Sequence, residues 1–386
     1  MHVVGLMSGT SADGVDAVLA SFNGSPQHPR WSLIRQASIA YPAPLQERIL
    51  AVGQGVPHTA SDLLDLTEAI TEHQAAAAQA CDPEGRAALV GCHGQTVWHR
   101  PPASTTNRDG RRGASWQMLQ APLLAQILKR PVVHDFRAAD LALGGQGAPL
   151  VPMADAALLG AATGWRALLN LGGIANLTLI PPAQGPDRKA DVLGWDCGPA
   201  NTLIDLAVEH FSGGRDRVDK DGQRASRGQV DEAALHRWLE EPYLHQPPPK
   251  STGRELFGRQ DLQRRLKDLN PKNADDCIAT LTAFSAAVVA QDINQMVERG
   301  LPRPQELVAA GGGCRNPILM RELEQRCRGT RVRCSDELDL PADSREALVF
   351  ALLAWWNHQQ HPGNAPAVTG ARGRSVLGVI ANPPGF

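Results

Sequence analysis

A unit of two apolar strands joined by a glycine-bearing turn occurs twice in this sequence, roughly half a chain apart. In the first unit, apolar residues alternate over positions 2–7 and 15–22, on either side of a turn-rich stretch. The second unit covers residues 167–180. Because strands and helices also alternate along the chain, the repeated hairpin predicts an α/β protein of two duplicated domains. We place these domains at residues 1–145 and 146–386, with a binding cleft between them.

The other elements follow from the same periodicities. Thr59 and Asp62 have the spacing of a capping box, which predicts a helix start, and Gly300 is a suitable helix end. Pro199 suits the first turn of a helix. The long helix carries apolar residues predicted to lie in the core, among them Ile278, Leu281 and Val288. The predicted helices are 59–80, 117–128, 200–210, 273–299 and 344–356. The last of these helices is free to pack back on the first domain. The further predicted strands are 87–92, 131–134, 192–195 and 306–310.

The composition excludes several classes of protein. Lys and Arg number 38 against 40 Asp and Glu, so no basic surplus indicates a nucleic-acid partner. The seven cysteines are odd in number and never spaced as CxxC, which favours neither a disulfide framework nor a zinc knuckle. The longest apolar run, 347–356, is about half of the ~20 residues that a membrane helix needs. We expect a soluble, cytoplasmic protein with no membrane partner.

Several familiar nucleotide and metal motifs are absent. Lys250-Ser-Thr252 resembles the end of a GxxxxGK[ST] loop, but it follows three prolines instead of a glycine-rich turn. No GxGxxG follows a strand, and no HExxH occurs. Cys92 and His93 are adjacent, a spacing that does not orient an imidazole onto its neighbour's thiol. These absences weaken the P-loop, dinucleotide, zinc-protease and cysteine-nucleophile interpretations.

Three glycine loops at strand ends remain, at residues 8–14, at Gly172 and Gly173, and at 311–313. Glycine lets the backbone approach a bulky anion, and successive amides in a turn form an anion-binding concavity without any lysine. Each loop taken alone is better explained as a simple tight turn. The first loop differs because it combines hydroxyls with Asp13 and Asp16, which suit phosphate oxygens and a hydrated Mg²⁺ that bridges them. The alternative is that these aspartates serve the turn's own backbone.

Ten short motifs, in order along nearly the whole chain, resemble the anhydro-N-acetylmuramic acid kinase family of the sugar kinase, Hsp70 and actin superfamily. The motifs are GLMSGTSADGVD at 5–16, HGQT at 93–96, DFR at 135–137 with GGQGAP at 144–149, NLGGIAN at 170–176, GWDCGPAN at 194–201, PKSTGR at 249–254, AGGGCRN at 310–316, DSREA at 343–347 and TGA at 369–371. This chain departs from the commoner pattern at a few positions, namely Trp195, Cys197, Ala200, Cys314 and the insert 181–189.

The resemblance implies two actin-like, ribonuclease H-like domains that close over ATP and the substrate. It implies ATP-dependent conversion of 1,6-anhydro-N-acetylmuramic acid to N-acetylmuramic acid 6-phosphate and ADP in cell-wall recycling, and a homodimer suits the family. Carried over by position, Asp196 matches the catalytic aspartate, and Arg137 and Glu346 fall at expected sugar contacts. The ATP-binding residues are Gly9, Thr10, Ser11, Ala12, Asp13, Gly14, Val15 and Asp16, to which we add the glycine loops Gly172, Gly173, Gly311, Gly312 and Gly313. Asp13 and Asp16 are the candidates for Mg²⁺, through water.

The chemistry of an anhydro sugar explains why a carboxylate is needed. O6 is tied to C1, so no free hydroxyl exists to attack ATP. A carboxylate that takes a proton from water lets the water attack C1 on the face opposite O6, as in an inverting glycosidase, and the released O6 attacks the γ-phosphorus. Asp196 suits this role because it precedes a glycine-proline turn. The alternative is an aspartate that satisfies turn amides.

Each predicted sugar contact has a structural alternative. Arg137 either binds the lactyl carboxylate of muramic acid through two parallel hydrogen bonds or forms an ordinary interdomain ion pair. Glu346 contacts the sugar, or caps a helix with Asp343. His93 lines the cleft near the sugar, or is a packed turn residue.

Two rival functions are weighed against this one. A kinase for another anhydro sugar, such as levoglucosan, needs the same ring opening with a smaller pocket. A non-enzymatic or chaperone-like ATPase module would bind a partner and give no sugar product, and the sequence shows no obvious peptide-binding extension after the nucleotide fold.

Overall fold

The computed structural model describes residues 1–100, 102, 112–248, 250–269, 273–341 and 344–385. The chain forms two compact units: the first combines Met1–Leu159 with Ser344–Phe386, and the second is Gly160–Asp343. The division after Leu159 lies further along the chain than the predicted boundary near residue 145. The C-terminal segment belongs to the first unit; the prediction counted these residues in the second domain but left the last helix free to pack back on the first.

The described residues form strands β1 (His2–Ser8), β2 (Gly14–Ser25), β3 (His28–Ala40), β4 (Leu89–Arg100), β5 (Ala114–Met118), β6 (Val132–His134), β7 (Arg166–Leu171), β8 (Ile174–Ile180), β9 (Leu193–Pro199), β10 (Glu306–Ala310), β11 (Arg331–Cys334) and β12 (Val379–Ala381). The helices are α1 (Ala43–Gly53), α2 (Ala60–Cys81), α3 (Ala121–Leu128), α4 (Ala138–Ala142), α5 (Val151–Leu159), α6 (Asn201–Ser212), α7 (Glu232–Leu239), α8 (Arg259–Leu269), α9 (Ala274–Glu298), α10 (Pro317–Arg326), α11 (Arg345–His358) and α12 (Pro366–Thr369).

Both units contain the same order of five strands, which accounts for the hairpin repeated in the sequence. In the first unit β3, β2 and β1 are antiparallel neighbours, and β4 and β6 continue the sheet in parallel. In the second unit β9, β8 and β7 are antiparallel, and β10 and β11 continue in parallel. Strands β5 and β12 extend the first sheet to seven strands. The predicted α/β fold of two duplicated, ribonuclease H-like domains is confirmed.

Helix α11 lies directly on the sheet of the first unit. A Cβ atom on Gly5 of β1 would approach the Ala347 carbonyl oxygen to 2.0 Å, and one on Gly91 of β4 would approach the Phe350 carbonyl oxygen to 2.2 Å. Only glycine permits backbones to pack this closely. The contact fixes the first turn of α11, which carries Glu346, against β1.

Several local predictions are confirmed and others are wrong. The Thr59–Asp62 capping box is present, with an Asp62 N to Thr59 Oγ1 distance of 3.1 Å and a Thr59 N to Asp62 Oδ2 distance of 2.9 Å. The helix predicted from residue 117 begins only at Ala121, because Gln117 belongs to β5 and pairs with β4. Pro199 ends β9 instead of opening α6. Strand β3 has no counterpart among the predicted elements.

The long helix α9 contributes apolar residues to the core of the second unit, as predicted. The Asn273 side chain caps its start by accepting a hydrogen bond from Asp276 N at 2.8 Å. Ile278, Leu281 and Val288 are buried in the core. Among the described residues, α9 alone is long and apolar enough to cross a membrane, but 89% of its most apolar window is buried inside the protein. This burial is typical of a core helix.

Candidate active site

The first glycine loop joins β1 to β2 and is held by side chains beneath it. The Ser8 hydroxyl lies 2.8 Å from the Gly14 carbonyl oxygen and 2.5 Å from Gln95 Oε1. The Gln95 amide in turn donates to the Gly9 carbonyl oxygen at 3.0 Å. Ala12 closes the turn. Its φ of 52° lies in the left-handed region, and its N–H donates a hydrogen bond to the Gly9 carbonyl oxygen at 3.1 Å. The loop is therefore fixed from inside while its hydroxyls at Thr10 and Ser11 stay exposed.

The two loop aspartates occupy different environments. Asp13 is exposed, and its Oδ1 accepts a hydrogen bond from Gln46 Nε2 at 3.2 Å. Asp16 is half-buried and lies in β2, opposite Met7. The part of the chain that the structure describes contains no group of three or more His, Cys, Asp or Glu side chains able to hold a metal ion. Two hard oxygen donors suit Mg²⁺ that keeps most of its water and is shared with phosphates.

Arg137, His93 and Glu346 come together in the first unit. Arg137 Nη1 donates to the Gly147 carbonyl oxygen at 2.7 Å, and its Nε and Nη2 atoms lie 3.2 and 2.9 Å from His93 Nε2. His93 Nδ1 lies 3.0 Å from the Gly94 carbonyl oxygen, so Nδ1 carries the proton and Nε2 accepts. Burial lowers the pKa of His93 well below its ordinary range, and the Arg137 charge lowers it further. The ring is neutral and points its acceptor at Arg137.

Glu346 acts on Arg137 through its charge. Burial lowers the pKa of Arg137, and the nearby Glu346 carboxylate opposes that shift. Among the described residues, no hydrogen bond engages the Glu346 side chain. The capping partner predicted for it, Asp343, lies outside the described residues, and the observed N-cap residue Ser344 makes no side-chain capping bond. Glu346 is therefore a half-buried carboxylate beside a guanidinium.

Asp196 lies within β9, the edge strand of the second unit's sheet, instead of after a strand end as predicted. Its Oδ1 accepts from Asn176 Nδ2 at 2.7 Å and its Oδ2 accepts from Thr252 N at 3.0 Å. The Tyr243 hydroxyl donates to the Asp196 carbonyl oxygen at 2.8 Å. The pairing of β9 with β8 shifts register next to Asp196, where Cys197 is the extra residue of a bulge. The carboxylate is half-buried, and both of its oxygens are oriented by N–H donors.

The other two glycine loops are neighbours in the second unit because β7 and β10 pair in parallel. Gly311 has φ of +87°, which favours glycine. A Cβ on Gly313 would lie 2.6 Å from the Leu171 side chain, whereas one on Gly312 would meet nothing within 4 Å. Asn201 Nδ2 donates to the carbonyl oxygens of Leu171 at 2.9 Å and Gly172 at 2.8 Å. The loops are thus locked together, with one open face at Gly312.

A cavity of about 720 Å³ opens beside the Gly172–Gly173 turn. Its wall includes the start of α6, and the side chains of Arg217 and Arg254 stand at its rim. Thr202 is buried, and among the described residues its Oγ1 has no hydrogen-bond partner. Burial raises the pKa of Asp205, in the same wall, to about 7, against the Arg254 charge. The cavity therefore combines an anion-attracting rim with an unpaired buried hydroxyl.

A protein-family model described as anhydro-N-acetylmuramic acid kinase matches residues 1–383 of the chain. The chain belongs to this family. Proteins with that name from Synechococcus sp. (strain CC9311) and Synechococcus sp. (strain CC9902) are 67% identical over 383 residues and 65% identical over 384 residues. A third, from Prochlorococcus marinus (strain MIT 9211), is 54% identical over 383 residues. Each alignment covers 99% of this chain and 100% of the relative.

One of the matched solved structures has a low sequence identity to this chain. Component A of (R)-2-hydroxyglutaryl-CoA dehydratase from Acidaminococcus fermentans aligns over 92% of this chain and 98% of its own, with 12% identity and a TM-score of 0.44. Membership in the anhydro-N-acetylmuramic acid kinase family confirms the resemblance drawn from the motifs, and it makes the protein an enzyme of the sugar kinase class.

The family motifs contain residues whose roles the sequence did not indicate. Asn176 and Thr252 belong to two of the quoted motifs, but their hydrogen bonds to Asp196 join positions 20 and 56 residues away. Arg254 ends the second of those motifs, and Asp205 lies in none. The signal for Asn176 was its place in a strand directly opposite Asp196, which only the sheet register reveals.

Proposed function

We propose that this protein converts 1,6-anhydro-N-acetylmuramic acid, ATP and water into N-acetylmuramic acid 6-phosphate and ADP. The proposal rests on the carboxylate of Asp196, the aspartate of the family's GxDxGPxN motif. Asn176 Nδ2 donates a hydrogen bond to one of its oxygens and Thr252 N donates to the other. A carboxylate with its rotation fixed this way keeps a lone pair on each oxygen for a water molecule. Membership in the kinase family supports the same reaction.

Asp196 acts as the general base for ring opening. It takes a proton from water while the water oxygen bonds to C1, and the C1–O6 bond breaks. The electron pair left on O6 forms the new bond to the γ-phosphorus, and ADP departs. The phosphoryl group replaces the acid that a glycosidase needs to protonate its leaving oxygen. One carboxylate base therefore suffices, and the Asp196 proton later returns to solvent.

The glycine loops hold the nucleotide. Residues 9–16 offer exposed hydroxyls on a rigid turn, and the Gly172–Gly173 and Gly311–Gly313 loops offer backbone amides near the open position Gly312. Phosphoryl transfer depends mainly on positioning and on neutralising charge, which Mg²⁺ supplies when it is bound. Asp13 and Asp16 would hold that ion through water molecules.

Arg137 binds the lactyl carboxylate of the sugar. Three of its five N–H bonds serve His93 and Gly147, so two remain for a ligand, the number that bidentate binding of a carboxylate needs. Glu346 accepts a hydrogen bond from a sugar hydroxyl or amide. His93 is buried, and its ring nitrogens face Gly94 and Arg137, so we assign it to positioning Arg137.

We also propose that the enzyme is a cytoplasmic homodimer. The structure describes all seven cysteines and joins none of them in a disulfide, as expected in a reducing compartment. Light scattering of the purified protein tests the dimer directly: a mass of twice the 41.3 kDa chain supports it, and a monomer contradicts it.

The reaction is tested by isotope labelling of the product. The enzyme is incubated with the anhydro sugar and Mg·ATP in ¹⁸O-labelled water, and the product is reduced with borohydride before hydration of its open-chain aldehyde exchanges the anomeric oxygen with solvent. Mass spectrometry should find one ¹⁸O on C1 and none in the phosphate. Levoglucosan runs in parallel, because an enzyme that prefers it belongs to the rival anhydro-sugar kinase class. Formation of ADP without any phosphosugar would contradict the proposal and favour an ATPase module.

A further inference from the structure

Asp196 is supported by a segment that lies far from it in sequence. Besides the Thr252 amide on its carboxylate, the Asp196 N–H donates to the Lys250 carbonyl oxygen at 3.1 Å. Residues 250–252 therefore lie along β9, the edge strand of the sheet. Among the described residues, no strand of the second unit pairs with this edge. The orientation of the carboxylate depends on where this segment sits.

The segment is anchored by a buried ion pair. Lys250 Nζ lies 2.7 Å from Asp292 Oδ1 in helix α9, and each side chain is only 1% exposed. The ammonium also lies 5.1 Å from the centre of the Tyr243 ring, whose hydroxyl donates to the Asp196 carbonyl oxygen. A buried charge is stable only with its partner, so the pair holds Lys250 in one place.

The Asp292 carboxylate also contacts the two residues that flank Asp196. Trp195 Nε1 donates to Asp292 Oδ2 at 3.0 Å, and the Cys197 thiol also hydrogen-bonds to Asp292. Trp195 and Cys197 are positions at which this chain departs from the commoner family pattern. Asp292 therefore contacts the strand on both sides of Asp196 as well as the segment that pairs with it.

We propose that the buried Lys250–Asp292 pair is a positioning device for Asp196. It fixes residues 250–252 and strand β9 relative to helix α9, and so sets the direction in which the carboxylate presents its lone pairs to water. Neither residue touches the substrate. The inference rests on the proposed role of Asp196 as the base.

The test compares Lys250→Met and Asp292→Asn with the wild-type enzyme in kcat, in KM for both substrates and in Tm. Because a shift of about 1 Å in a catalytic group can lower a rate 100-fold, we expect kcat to fall about 10- to 100-fold, with both KM values within about twofold. Tm should fall as well, because each variant leaves one charge buried without its partner.

A double variant separates positioning from stability. Lys250→Met combined with Asp292→Leu removes both charges, so Tm should recover while kcat stays low. Recovery of kcat together with Tm would overturn the proposal, as would an unchanged kcat in both single variants. The matched control is Glu306→Gln, which breaks a half-buried ion pair with Arg166 at the opposite end of the same sheet. It should lower Tm and leave kcat unchanged.

Asp196→Asn in the same assay distinguishes the two proposals. If Asp196→Asn keeps its rate, Asp196 is not the base, and the positioning role fails with the proposed mechanism. If Asp196→Asn loses its rate while Lys250→Met keeps it, the mechanism stands and only the positioning role is overturned. Loss of kcat in both, with Lys267→Met at the exposed surface unaffected, supports both.

Discussion

Removing the acceptor at His93 should release Arg137 and weaken sugar binding. In His93→Leu the side chain keeps a similar apolar volume against Phe350, whose ring centroid lies 4.6 Å from that of His93. The Nε and Nη2 hydrogens of Arg137 lose their acceptor, since both point at His93 Nε2. The guanidinium then keeps its bond to Gly147 and the attraction of the nearby Glu346 charge. It should turn away from the position that presents its two remaining N–H bonds to the carboxylate.

The magnitude follows from the type of bond that is lost. A hydrogen bond to a charged group contributes about 1.5–3 kcal/mol. At about 1.4 kcal/mol for each factor of ten, kcat/KM for the anhydro sugar should fall roughly 10- to 100-fold. The loss should appear in KM, with kcat within about threefold, because Arg137 binds the lactyl group in the ground state and in the transition state alike.

Steady-state kinetics on His93→Leu and His93→Gln test this reasoning. Glutamine can place an amide oxygen where Nε2 lies, so His93→Gln should keep kcat/KM within about fivefold. A wild-type KM in His93→Leu would refute the positioning of Arg137 by His93, and equal losses in both variants would show that volume matters instead of the acceptor.

The same variants should change how stability depends on pH. The folded pKa of His93 lies well below its ordinary value of 6.5, so the unfolded chain binds more protons. The stability linked to this group is complete above pH 6.5 and is lost as pH falls towards the folded pKa. Wild-type Tm should therefore fall more steeply than that of His93→Gln between pH 6.5 and 5. Parallel curves would contradict a neutral, buried imidazole.

Three further predictions follow from the second unit. The pKa of Asp205 is raised to about 7. The stability linked to this group is therefore complete below its unfolded pKa of about 4 and is lost as pH rises through 7. Asp205→Asn should raise Tm at pH 8 and not at pH 4, and an equal effect at both pH values would contradict the shift. Gly313→Ala should lower Tm by several degrees and Gly312→Ala should leave Tm unchanged, because only the Cβ at position 313 meets close neighbours in the protein; equal Tm values would contradict the loop geometry. Asn176→Ala should lower kcat about tenfold by freeing one oxygen of Asp196, and a wild-type kcat would contradict that bond's role.

Local patterns in the sequence located most elements because they report on neighbouring residues. The capping box at Thr59 and the glycine after α9 each involve positions three or four residues apart. Strand β3 escaped detection because it is mostly exposed and contains Pro29, so its apolar alternation is weak. Gln117 was assigned to a helix because its pairing with β4 depends on residues some 20 positions earlier.

The candidate site shows the same limit more sharply. The motifs selected Arg137, His93, Glu346 and Asp196 as chemically suitable. They could not show that His93 faces Arg137, because β4 and the segment after β6 meet only in the folded sheet. Nor could they show that Asp292, from the middle of a core helix, reaches the strand that carries Asp196. Buried polar contacts of this kind join distant segments and leave no periodic trace in the sequence.

The measurement that tests the central claim most directly is the turnover of Asp196→Asn beside that of Asp191→Asn, an exposed carboxylate in the same unit. General base catalysis contributes about 10²- to 10⁴-fold, so kcat of Asp196→Asn should fall at least 100-fold with KM and Tm close to wild type. Asp191→Asn should behave as wild type. A folded Asp196→Asn enzyme that turns over the anhydro sugar at nearly the wild-type rate would contradict the account.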